Sequence, residues 1–196
     1  SMQHRGVGLR GVEQADFNST SERLAALSTS FSNHVLDATQ SWSLVIHKRE
    51  QLVGVPERAL AILAAAAAEA GDQFEDGLAP TAADGPWRLG LDMPRYIPVI
   101  THAKDRNLRE TLYKAHVSRA SSGDLDNAPL IEEILKLRRE QASRLGYANW
   151  AELSLASKMA DDVAAVESLL EELRASALPV AQQELQELRA VSYTHL

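Results

Sequence analysis

Cysteine is missing from all 196 residues, so disulfide staples, thiolate metal sites and a cysteine nucleophile are excluded. Aromatic residues are scarce, at 5%, although apolar residues reach 45%. A core poor in aromatics and rich in Ala and Leu suits helices packed on helices. No apolar run approaches the roughly 18 residues of a membrane-spanning helix, so no membrane partner is expected. The opening Ser1-Met2-Gln3-His4-Arg5 lacks the apolar stretch of a secretory signal. Together with the missing cysteines this fits a cytoplasmic location. Positive charge is in deficit, 20 Lys and Arg against 27 Asp and Glu, a formal net charge of −7; that argues against a nucleic-acid partner.

What is present is mostly helical periodicity. Residues 1–15, with Gly6, Gly8 and Gly11, read as a tag remnant (Ser1-Met2) and a loose lead-in. From there Phe17, Leu24, Leu27, Phe31, Val35, Ala38, Trp42 and Val45 recur at helical spacing. They predict one helix over 16–47 with Asp16 as its N-cap, about 45 Å long at about 1.5 Å per residue. Gly54 and Pro56 break it, and an Ala-rich helix over 56–70 ends at Gly71. Residues 71–86 read as a surface loop. Trp87, Leu89 and Leu91 alternate as in a strand. A strand needs an edge to pair with, and no second strand stands out, so its partner is expected outside this chain or across two chains, or else the segment is extended and isolated. Further helices are predicted over about 93–103, 105–121, 129–145 and 149–160, with a long one after them. The caps of the last three are supplied by Asp126 or Asn127, by Asn149, and by Asp161 and Asp162. The last long helix meets Pro179, which is expected to kink or split it. Glu132 with Lys136 and Glu140 with Arg144 are favourable i,i+4 pairs. The expected fold class is therefore mainly α: a bundle of long antiparallel helices with one short isolated strand or hairpin near 87–92.

The residues that carry chemistry form no recognisable centre. Six histidines are present, at 4, 34, 47, 102, 116 and 195, and none lies four residues from another, as a zinc-peptidase helix requires. His34 with Asp37 and His47 with Glu50 have i,i+3 spacing, which surface residues show often by chance. His102 and His116 stand alone and fit surface or satisfied core positions. No G-x-S-x-G elbow and no phosphate-binding glycine loop occurs. The neighbours Glu132-Glu133 and Glu171-Glu172 point in different directions on a helix, which suits a solvated face. Lys158 suits an ion pair. No catalytic, cofactor-binding or metal-ligating residue is assigned.

Several stretches, taken together, resemble a known family. They are FSNHVLDAT at 31–39, LVGVPE at 52–57, LGLDMPRYIPVITHAKDRNLRETLYKAHVSRAS at 89–121, DNAPLIEEILKLRREQASRLGYANWAELSLASKMA at 126–160, and the Val163–Leu188 helix. In this order they resemble the M3 family of zinc metallopeptidases, in its oligopeptidase A branch. The resemblance covers roughly residues 15–189. It implies a largely helical enzyme in which a deep channel admits short peptides, and in which zinc is held by an H-E-x-x-H helix and a further Glu. That motif is not in this sequence, so none of the family's ligands or catalytic residues falls on a position here.

The resemblance implies that residues 16–190 are a helical, non-catalytic region that walls the channel and is inactive alone. The alternative is a standalone helical scaffold or peptide-binding module. Zinc and short peptides belong to the whole parent. Residues 191–196, VSYTHL, leave the pattern, resemble a translated adapter read-through, and are expected to be non-native. Apolar faces without their natural cover predict a homodimer.

Overall fold

The computed structural model describes residues 8–73 and 77–194. Among these the fold is mainly α, with seven α-helices and one two-stranded sheet. In chain order they are α1 (Val12–Ser41), β1 (Ser43–Ile46), α2 (Glu57–Glu69), β2 (Trp87–Gly90), α3 (Met93–His102), α4 (Arg106–Val117), α5 (Ala128–Arg144), α6 (Trp150–Leu155) and α7 (Val163–Thr194). The chain divides into two compact units. One is Ala25–Glu133; the other holds the residues up to Leu24 and those from Ile134 onward.

The strand read from Trp87, Leu89 and Leu91 is not isolated. β2 pairs antiparallel with β1 of the same chain, in the register Ser43↔Gly90, Leu44↔Leu89, Val45↔Arg88 and Ile46↔Trp87. The expectation of a partner outside the chain is therefore corrected, and with it the end of the first helix. α1 has the expected length, 30 residues, but it runs Val12–Ser41 instead of 16–47. Asp16 is inside it, not capping it. Residues 42–46 carry no Gly or Pro to stop a helix, and Val45 continues the helical stripe. As a strand, however, the segment gains a ladder with β2 and turns Ile46, 4% exposed, into a core. Its Leu-Val-Ile run also suits the pleat better than a helix.

That core lies in the Ala25–Glu133 unit. Ile46 of β1, Leu52, Leu60 and Leu63 of α2, Trp87 and Leu89 of β2, Val99 of α3 and Leu112 of α4 all belong to one buried cluster. The alanines of α2 have a structural task, because Ala59, Ala64 and Ala67 are buried and their small girth lets the helix approach its neighbours closely. α2 closes with a Schellman motif: Gly71, at φ +78°, donates to Ala68 O (3.1 Å) and Asp72 to Ala67 O (2.9 Å). Gly54 is required for a different reason. At φ +96° it passes so near α3 that an added Cβ would lie 2.2 Å from the His102 carbonyl oxygen.

Local capping follows the sequence closely. Asp92 accepts from Arg95 N, and Asp105 accepts from Asn107 N (2.9 Å) and Leu108 N (3.1 Å). Asp126 accepts from Ala128 N (2.9 Å) at the start of α5. Asn127 instead turns inward, 3% exposed, and donates Nδ2 to the Phe31 carbonyl of α1 (3.1 Å). In the other unit Asn149 caps α6 through Glu152 N (3.0 Å), and Asp162 caps α7 through Ala165 N (2.7 Å). α6 is shorter than the predicted 149–160.

The second unit is joined by polar contacts between the start of α1 and the end of α5. Gln141 Nε2 donates to Ser21 Oγ (2.9 Å), and Arg144 pairs with Asp16 (3.2 Å). The expected i,i+4 partner of Arg144, Glu140, gives way to this inter-helix contact. Phe17, Ala142 and Leu153 are its buried apolar residues. α7 is one helix through Pro179, unsplit, and continues to Thr194, past the point where the pattern breaks off.

Candidate functional site

The most organised polar group in the described residues is built around Arg88. The strand alternation that buries Trp87 and Leu89 turns Arg88 to the opposite face. There it forms a bidentate pair with Asp72, Nε to Oδ2 and Nη2 to Oδ1, both at 2.7 Å. Its third nitrogen, Nη1, donates to Ser43 Oγ on β1. Asp72 is held in place by the Schellman turn of α2, so the guanidinium ties the helix end to both strands. The hydrogen bonds from Arg88 hold the Asp72 carboxyl below its usual range, helped by its charge and that of His47. The same contact raises Arg88.

An open groove of about 610 Å³ lies beside this pair, floored by Ile62, Ala65 and Ala66 and edged by Arg88, Asp92 and Arg95. Arg95 is paired with Asp92, across Gly90. Both cations of the groove are therefore matched by carboxylates of the protein. The arrangement is a structural brace with an apolar floor, and the exposed carboxylate of Glu69 also lines the groove. A second cleft of about 570 Å³ is lined by Trp42, Leu91, Arg119 and Asp124, among others. Arg119 is engaged there with His116 O (2.8 Å) and Thr39 Oγ1 (2.9 Å).

The histidines and acids singled out from the sequence are not gathered. Among the described residues no group of three or more His, Asp or Glu could hold a metal ion. The His34–Asp37 and His47–Glu50 spacings make no such group. His116 is stacked on Tyr96, with ring centroids 4.2 Å apart, and its buried Nε2 has no hydrogen-bond partner among the described residues. It is thus a half-buried histidine, neither a free surface one nor a satisfied core one. Burial lowers its pKa, and the nearby Arg119 lowers it further. His102 contributes its backbone to the contact with Gly54. Glu171 pairs with Arg174 (2.6 Å) on an exposed face, and Glu132 is exposed as well. Lys158 donates to Ser154 Oγ (2.9 Å), so its partner is a hydroxyl, not the expected carboxylate. His4 and His195 lie outside the described residues. The Arg88–Asp72 pair was missed because Asp72 sits in what read as a surface loop; only the outward position of Arg88 was visible in the strand pattern.

The model of peptidase family M3 matches residues 99–196. The chain is 44% identical over 185 residues to a probable cytosolic oligopeptidase A of Arabidopsis thaliana, covering 94% of this chain and 26% of the relative. It is 40% identical over 190 residues to oligopeptidase A of Salmonella typhimurium, with the same coverage of each. Similarity extends, at 28% over 187 residues, to a dipeptidyl carboxypeptidase of Escherichia coli. The chain belongs to peptidase family M3. It is a part of a peptidase similar to oligopeptidase A, and it spans about a quarter of the length of the curated relatives it matches.

The residues here do not fit the zinc that the family implies: the 196 residues hold no H-E-x-x-H sequence, and no metal-binding group forms among the described ones. No chemical step is derived through a metal. No helix of the described residues is long and apolar enough to cross a membrane.

Proposed function

We propose that this chain is a non-catalytic helical region of an M3 oligopeptidase, that it walls the channel leading to the zinc, and that it is inactive by itself. The observation that carries this reading is the pairing of a collinear match to oligopeptidase A relatives with polar side chains that are spent on bracing. Arg88, Arg95 and Arg119 all hold the fold together. Its role in the whole enzyme would be exclusion by shape, so that flexible short peptides reach the metal and folded proteins do not. The zinc, the water it activates and the peptide-binding residues would be supplied by the rest of the enzyme. A cytoplasmic location fits this role.

The test has two arms. Purified 196-residue chain is incubated with a quenched fluorescent peptide, with and without a chelator. No chelator-sensitive cleavage is expected, and such cleavage would sink the claim that the chain is inactive alone. In the second arm the chain replaces its aligned segment in the Arabidopsis relative. The chimera should cleave short peptides and spare a folded protein of the same sequence content. Equal cleavage of both would refute the channel-wall role. The standalone scaffold remains the alternative, and would be favoured by a chimera that folds and binds zinc yet gains nothing in selectivity from this segment.

A further inference from the structure

The face of α7 is not completed by the described residues. From Glu167 to Ser192 every residue of the helix is exposed. Leu169, Leu170, Leu173, Val180 and Leu188 are 55–68% exposed. At 3.6 residues per turn these five fall within an arc of about 100°, on one side of a rod about 48 Å long. A helix draws most of its stability from packing one apolar face, and contiguous apolar surface of this extent marks an interface. Pro179 in its middle removes one hydrogen bond from the ladder, so a cover matters more here than in an uninterrupted helix.

The charges of α7 say what kind of cover fits. Glu184 falls inside the apolar arc, one turn from Val180 and one from Leu188. Any segment laid on the stripe desolvates this carboxylate, which is costly unless a cation meets it. α7 cannot supply that cation to a second copy of itself. Its two basic residues, Arg174 and Arg189, lie off the arc, and Arg174 is already bound to Glu171 at 2.6–2.7 Å. Five glutamates against two arginines also set acid against acid when two copies meet.

We propose that the α7 stripe is a docking face for an amphipathic segment of the remaining three quarters of the same peptidase, one that carries a Lys or Arg opposite Glu184. This rests on the proposed placement of the chain within a longer M3 enzyme, whose relatives extend far beyond the matched quarter. The segment supplies apolar residues to the leucines and a cation to the carboxylate.

The test uses the full 196-residue chain. Overlapping 25-residue peptides covering the unmatched part of the Arabidopsis relative are immobilised and probed with labelled chain at low salt. Self-association is followed in parallel by sedimentation velocity. In place of the homodimer expected from uncovered apolar faces, the acid-against-acid charges of α7 lead us to expect a monomer that binds a small set of amphipathic, net-basic peptides. Glu184→Lys should weaken that binding at least tenfold, and Glu184→Leu should weaken it less. Leu173→Glu/Leu188→Glu should abolish it, with helicity by circular dichroism unchanged. The proposal is overturned if no peptide is captured, if capture ignores these α7 substitutions, or if the chain forms a dimer that Leu173→Glu dissociates. None of these readouts involves cleavage, so the outcome is separate from that of the peptidase test.

Discussion

Replacing Gly54 by alanine probes a contact that no sequence pattern reveals. The new Cβ would meet the His102 carbonyl oxygen at 2.2 Å and Lys104 Cγ at 3.3 Å, whereas ordinary contacts lie at 3.4–4 Å. Relief requires the junction between Gly54 and the end of α3 to open by about 1 Å. What resists is the hydrogen bond from Lys104 N to Val53 O, 2.8 Å long, together with Ala103, which is buried beside it. A side chain in the left-handed region costs about 1–2 kcal/mol, and overpacking a tight contact about 1–3 kcal/mol. Weakening the hydrogen bond adds about 0.5–1.5 kcal/mol. These overlap, and we expect a loss of about 3–5 kcal/mol, a large share of the usual stability of about 5–15 kcal/mol. Gly71→Ala is the control. It has φ +78° but nothing within 4 Å of the added carbon, so only the conformational cost of about 1 kcal/mol applies. Urea unfolding followed by the emission of Trp42 and Trp87, both in this unit, measures both. Equal losses for the two variants, or a loss below about 1 kcal/mol for Gly54→Ala, would refute the close-approach explanation.

Other substitutions test the remaining structure by the same unfolding assay. Leu63→Ala, at a site 1% exposed, should cost about 3–5 kcal/mol, while Leu185→Ala, at a site 48% exposed, should cost under about 1 kcal/mol. Asp105→Ala removes an acceptor for two amides at the start of α4 and should cost about 1 kcal/mol. Stability should fall in two stages on acidification. The upper stage comes from His116. Its pKa is lowered in the fold from 6.5, so the unfolded chain binds the proton more readily, and stability present above about pH 6.5 is lost as pH falls through the folded value. His116→Phe, which keeps a ring on Tyr96, should remove that stage. The lower stage comes from Asp72, lowered from 3.8 by Arg88; its contribution is complete above that value and disappears as pH falls through the folded pKa. Asp72→Asn should abolish this stage and cost about 1–3 kcal/mol at pH 7. An unfolding free energy that stays flat between pH 7 and 5 in the parent chain would refute the His116 assignment.

The helices were legible because their signals are local. Asp105, Asn149 and Asp162 cap through hydrogen bonds to amides two or three residues away, and such contacts form whatever the rest of the chain does. Gly71 likewise ends α2 by its own backbone freedom. The candidate site was less legible. Arg88 could be placed on the outer face of a strand by alternation alone, but its partner Asp72 is fixed by a helix-ending turn 16 residues away. The burial of His116 against Tyr96 depends on how α3 and α4 meet, which neither helix's pattern contains.

Composition and periodicity by themselves determined a mainly α protein and the positions of most helices and caps, and the order of residues determined the family to which the chain belongs. These follow from short-range hydrogen bonding and from residue order. Tertiary structure decided the rest. Residues 43–46 follow no helix-stopping Gly or Pro, and their Leu-Val-Ile run only favours a strand; they become one because β2, more than forty residues later, offers a ladder and a buried place for Ile46. The need for glycine at 54 arises only where the His102 carbonyl passes it. Burial and pairing are properties of neighbours, and in these two places the neighbours are far away in the chain.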